Sequence, residues 1–308
     1  MSDSAPPVSL DQQSATLTAT LFNKLPPVLA RALQLAAIPY WFDLPLLTAL
    51  RGPDDADART QKILDWLNER SFVSRLPRDR YVLNTDVRDL LRARWTQDRQ
   101  GFAEANRRLA DYLAGRIATA SGPEADELRQ AYIYHLLGAD GGAGIAELQK
   151  AFAEAEFSHR LAVAERLVEV AAEQRPFLEP RHAAWIAYLD ARSLQLHNRW
   201  EASCAPLQSL LEQADLPTEL RPRVQAALAA SLVETQHWTQ AIELYQQARV
   251  AFETNGLYDQ VATCQLGLGY AHMDLGLNIW GQRESRPTPP PSVRQTLVDL
   301  ATLPVRLP

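Results

Sequence analysis

The sequence offers little for covalent or metal chemistry. Among its 308 residues only Cys204 and Cys264 are thiols, sixty positions apart and each inside a helical pattern. That spacing gives neither a disulfide framework nor a metal site, so both read as small buried apolar residues in a reducing compartment. No run of about eighteen apolar residues exists, and the N-terminus has no basic-then-apolar leader pattern. Within these residues nothing is expected to span a membrane, and a cytoplasmic location is expected. An excess of positive charge is missing as well: 31 Lys and Arg stand against 37 Asp and Glu, for a net charge of -6. A general nucleic-acid binder is therefore excluded as the default, and only a local basic patch stays open.

Catalytic constellations are absent too. The six histidines, His135, His159, His182, His197, His237 and His272, are scattered singly, without the spacing that sets two ligands on one helix face. No serine sits in a Gly-x-Ser-x-Gly elbow, and the Asp54-Asp55 pair occupies a loop where helix capping accounts for it. Gly138–Gly144 is the one glycine-rich stretch and precedes a helix, which raises a phosphate cradle as an option. It lacks the Gly-Lys-Ser/Thr ending and follows a helix rather than a strand, so a flexible connector is the expectation. No enzyme, no cofactor and no metal are expected.

What the sequence does contain is helical patterning. Apolar residues make up 46% and charged residues 22%, ordinary values for a globular chain of about two domains. Residues 1–22, rich in Ser, Thr, Pro and Gln, read as a disordered tail. Pro26-Pro27 opens a helix with Leu29, Leu33 and Ala36 on one stripe, and a second helix runs Leu44–Leu50. Asp54–Asp57 offer caps for a third, with Ile63, Leu64, Trp66 and Leu67 facing inward. The period then switches. Phe72–Leu76 and Tyr81–Leu83 flank the turn Pro77–Arg80 as a hairpin, and Asn84-Thr85-Asp86 caps a further helix. Three helices and a hairpin give the order of a winged helix. The run SFVSRLPRDRYVLNTDVRDLLRARW resembles the winged-helix module of STAND-type signalling ATPases, with Val87, Arg88, Leu90 and Leu91 fitting its ending and Asn84 near a position that is often His. The resemblance implies a winged-helix module over residues 23–95; the nucleotide-binding domain that precedes it in that family has no counterpart here. Arginine is dense at positions 70, 75, 78, 80, 88, 92, 94 and 99. Arg59 and Lys62 on the third helix, with Arg75, Arg78 and Arg80 in the hairpin, are the candidates for DNA contact, although Asp57, Asp65 and Glu69 balance that helix.

After Trp95 helices follow one another, expected at 100–119, 123–137, 145–155 and 160–173. Trp200 and Trp238 then stand 38 residues apart with Ser193-Leu194 and Ser231-Leu232 at matching offsets, and Leu268-Gly269 stands 40 beyond Leu228-Ala229. Leu228, Ala229 and Leu232, with Ala241, Tyr245 and Ala248, form apolar stripes for neighbouring helices. These residues resemble the skeleton of a tetratricopeptide repeat, in a degenerate form. The fold class expected is mainly α, an N-terminal winged helix followed by a tetratricopeptide-like α-solenoid over 96–281. Residues 282–308 hold a proline-rich linker and a short amphipathic segment, Val293–Leu303. The third repeat is unfinished, so the apolar face near Gly276 awaits this segment, a missing one or a partner. The resemblance implies a non-catalytic scaffold or sensor arm that binds a protein or peptide. Trp185, Tyr188, Arg192, Gln195, Gln225 and Glu234 are the surface candidates. The alternative is a transcriptional regulator binding DNA through residues 25–95 and sensing through its helices.

Overall fold

The structure, a computed structural model, describes residues 22, 24–52 and 57–282. The expected N-terminal tail, most of the Asp54–Asp57 capping stretch and residues 283–308 lie outside the described residues. The protein is mainly helical, with thirteen α-helices and one two-stranded antiparallel hairpin among the described residues. It divides into two compact units, Met1–Leu148 with Pro176–Leu178, and Gln149–Arg175 with Glu179–Pro308.

The first unit contains α1 (Pro27–Ala36), α2 (Leu44–Arg51), α3 (Asp57–Asn68), β1 (Val73–Leu76), β2 (Arg80–Leu83), α4 (Thr85–Arg94), α5 (Arg99–Ile117), α6 (Pro123–Ala139) and the start of α7 (Gly141–Phe157). Helix starts follow local chemistry. Pro27 and Pro123 stand in first turns, where a missing N–H costs nothing. The side chains of Asp43, Asn84 and Asp98 accept from Leu46 N, Asp86 N and Gly101 N at 2.8, 2.9 and 2.9 Å. Val73 pairs with Leu83 and Leu76 with Arg80, and the turn between them holds Arg78 and Asp79 at positive φ. Phe42 extends this pairing by exchanging both backbone hydrogen bonds with Tyr81. The core under it includes Leu33, Ala36, Phe42, Leu46, Leu50, Ile63, Leu67, Leu91, Trp95 and Leu109.

Two expectations change here. Arg88 and Arg92 belong to the interior rather than to a basic surface. Arg88 donates to Tyr134 Oη at 2.8 Å, that hydroxyl donates to Ile38 O at 3.0 Å, and the Arg92 guanidinium lies over the rings of Tyr134 and Phe177. These contacts tie α4 to α6, so the unit continues well past the boundary expected at Trp95. The glycine-rich stretch is also no loop. Asp140 alone separates α6 from α7, and Gly141–Gly144 form the first turn of α7. A Cβ on Gly144 would stand 2.6 Å from the Leu137 backbone, so the glycine is explained by the close approach of two helices.

The second unit holds the rest of α7, then α8 (Leu161–Ala172), α9 (Pro180–Leu196), α10 (Trp200–Glu212), α11 (Arg221–Glu234), α12 (Trp238–Thr254) and α13 (Tyr258–Gln282). Its tight turns share one device. His159, Asn198, Gln236 and Gly256 take positive φ, and the residue after each donates back to the fifth residue before itself: Arg160 to Ala155 O, Arg199 to Leu194 O, His237 to Leu232 O and Leu257 to Phe252 O, at 2.7–2.9 Å. This is the Schellman arrangement, which satisfies orphan carbonyls and reverses the chain. The expected stripes Leu228, Ala229, Leu232, Ala241, Tyr245 and Ala248 are all buried. Helix α13 continues to Gln282, fewer than two turns beyond Gly276.

Candidate functional site

The surface candidates distribute over α9 and α11 according to helical angle, at about 100° per residue. Trp185, Tyr188 and Arg192 fall on one side of α9, all half-buried. The rings of Trp185 and Tyr188 meet edge to face with centroids 5.9 Å apart. From α11 the Arg223 guanidinium reaches over Trp185, 6.0 Å from its centroid. Arg192 pairs with Glu156 at 2.6 Å and donates to Gln195 Oε1 at 2.8 Å. Burial raises the Tyr188 phenol above its ordinary pKa, while the cations of Arg192 and Arg223 pull it the other way. A Tyr–Trp pair flanked by guanidiniums has the composition of protein-binding hot spots. Glu234 is exposed and shares the angular sector of Arg223 on α11.

Two candidates are bonded to neighbouring helices. Gln195 is buried: its Nε2 donates to Ala227 O at 2.7 Å and to Ser231 Oγ at 2.5 Å, and Ser231 Oγ bonds Ser203 Oγ at 2.7 Å. It clasps α9 to α11 and presents nothing outward, although it stands about 20° from Tyr188 on the same side of α9. Gln225 points away from Arg223 and bonds Gln247 on α12 at 2.7 Å. Arg223 itself is the residue that sequence reasoning missed. It stands 38 positions after Trp185, the same offset as Trp200 to Trp238, and that coincidence was the available signal.

In the first unit Arg59 and Lys62 are exposed on α3. The hairpin arginines are occupied by carboxylates. Arg75 pairs with Asp79, and Arg78 and Arg80 share Glu127 at 3.2 and 2.9 Å. Arg80 is further held over the Trp41 ring at 4.0 Å, with its side chain only 14% exposed. Phosphate contact through Arg80 would require it to leave both partners. A cleft of about 650 Å³ in this unit is lined by Arg31, Arg51, Arg59 and Arg108 with Glu104.

Two buried ionisable side chains have shifted titration. His135 Nδ1 faces Asn106 Oδ1 at 2.8 Å, and burial, helped by Arg88 and Arg92, drives its pKa down to about 3. Cys264 is buried, with its thiol pushed up to about 11, while Cys204 is half-buried rather than fully enclosed. Among the described residues no group of three or more His, Cys, Asp and Glu is placed to hold a metal ion, and no helix is long and apolar enough to cross a membrane. In comparisons with known proteins the chain matches no family model, no curated protein and no solved structure.

Proposed function

We propose that the chain is a non-catalytic protein-recognition module, a winged-helix-like N-terminal element joined to a tetratricopeptide-like array that binds a partner polypeptide on its α9–α11 face. The observation that carries this reading is the half-buried Trp185–Tyr188 pair with Arg223 laid over Trp185. Packing alone does not call for an arginine on an incompletely covered tryptophan. The pair offers a partner an aromatic platform, and Arg223, Arg192 and Glu234 offer it polar and charged selection. The DNA-binding alternative gains no support from the hairpin, whose arginines pair internally.

The test is partner capture by the full chain, followed by affinity measurement with purified partner. Trp185→Ala and Arg223→Ala are expected to weaken binding about tenfold or more, as central interface truncations do. Gln208→Ala, at an exposed site on α10, should leave it within about twofold. Equal losses from both sets would overturn the reading.

A further inference from the structure

Six of the nine exposed large apolar side chains among the described residues lie between Val250 and Met273. Three of them, Leu266, Tyr270 and Met273, form a stripe along α13 and are 52%, 53% and 47% exposed. The two preceding odd-numbered helices show what this stripe normally meets. Stepping back 40 residues gives Ala226, Ala230 and Val233 on α11, and a further 38 gives Tyr188, Arg192 and Gln195 on α9. On α9 these positions are half-buried or buried, and Gln195 is bonded to α11. On α11 they are half-buried and packed into the core of the unit. On α13 the same positions carry larger apolar groups and no described residue covers them. A stacked array whose last face is apolar requires a cap with a polar outer side.

The sequence that follows supplies one. Ser292-Val293-Arg294-Gln295 has the Ser-x-x-Gln form of a capping box, and Val293, Leu297 and Leu300 follow at i, i+4, i+7. Run antiparallel to α13, this triplet spans the same seven residues, about 10 Å, as Met273, Tyr270 and Leu266. The antiparallel direction sets Arg294 near Asp274, whereas the parallel one would bring Asp299 toward it. The linker Arg283–Ser292 holds four prolines and extends to about 31 Å at 3.1 Å per residue. That exceeds the roughly 14 Å from Gln282 back to the level of Met273. A tether this short gives an effective concentration in the millimolar range, which favours the chain's own segment over a second copy.

We infer that Val293–Leu303 is the occupant of the Leu266–Tyr270–Met273 face, folding back on α13 as an antiparallel amphipathic helix that caps the array. This inference is independent of the α9–α11 face proposed for partner binding. The test is hydrogen–deuterium exchange on the intact chain. Amides of 293–303 should exchange about tenfold or more slowly than an unstructured peptide, independently of protein concentration. Leu297→Asp with Leu300→Asp should abolish that protection and speed exchange across 262–276. Tyr270→Asp should free the tail while peptides of α9–α12 keep their protection, which shows that the array still folds. Coil-rate exchange of 293–303 in the unaltered protein would overturn the inference. So would protection that disappears on about hundredfold dilution, since that would assign the face to a second copy. A tail that stays protected in the Tyr270→Asp variant would overturn it too.

Discussion

A histidine held neutral in a helical interior makes stability depend on pH in a calculable way. His135 on α6 is buried, its ring edge-on to Tyr134 with centroids 5.0 Å apart. Asn106 Nδ2 donates to Phe102 O at 2.9 Å, which turns its Oδ1 toward His135. The Nδ1 nitrogen therefore carries the proton, and Nε2 is left without one. Desolvation disfavours the imidazolium, and Arg88 and Arg92 add like charge, so the folded pKa falls from 6.5 to about 3. The unfolded chain takes up a proton below 6.5 and the folded chain does not. Stability is therefore full above the unfolded pKa and declines as pH falls toward the folded one, by about 1.4 kcal/mol per unit. Between about pH 6.5 and pH 5 this one residue should remove roughly 2 kcal/mol, a large part of the 5–15 kcal/mol typical of a domain. The assay is urea unfolding of the full chain across that range, beside His135→Gln. The variant should be less stable at neutral pH, by about 1–2 kcal/mol for an imperfectly replaced buried hydrogen bond, yet its stability should fall less steeply with acid. The difference between the two slopes isolates His135 from carboxylates and from His272, whose burial also lowers its pKa. Parallel curves for the two proteins would refute the reasoning.

Two further predictions concern the second unit. Gln195→Ala should cost about 1–3 kcal/mol in urea unfolding, because Ala227 O and Ser231 Oγ lose their shared buried donor; an effect within about 0.5 kcal/mol would mean that Gln195 is a surface residue after all. Gly267→Ala would gain about 1 kcal/mol on helix propensity alone, but the added Cβ would meet the Tyr245 ring, with Cε2 at 2.7 Å. Net destabilisation of about 1–3 kcal/mol is expected, with Tyr245→Leu restoring part of it in the double variant; a stabilised single variant would show that the ring yields.

The helices, the Asn84 cap and the hairpin were legible because each rests on local signals: proline in first turns, Asn84 before Thr85, a period that changes from 3.6 to 2 at Phe72. The apolar stripes were legible for the same reason. Which neighbour each stripe meets was not. A helix in this array is covered on several sides, and periodicity places Gln195 on a side without saying that α11 lies against it. Arg88 and Arg92 misled for a related reason: formal charge marks a residue as outward until the aromatic rings that accept its guanidinium are seen, and Tyr134 is more than forty positions away. Gly141–Gly144 misled by composition, since glycines that permit two helices to approach look the same in sequence as glycines that free a loop. Arg223 went unnoticed because its meaning lies in Trp185, on another helix.

Glu127 has a consequence for how the hairpin answers its surroundings. One carboxylate serves both Arg78, 61% exposed, and Arg80, 14% exposed. Dissolved salt screens the first interaction strongly and the second weakly, over a Debye length of about 8 Å at physiological ionic strength. Raising salt should loosen Arg78 and Asp79 in the turn, while Arg80 beside them stays held over Trp41. Ionic strength then sets how freely the turn moves around one anchored arginine.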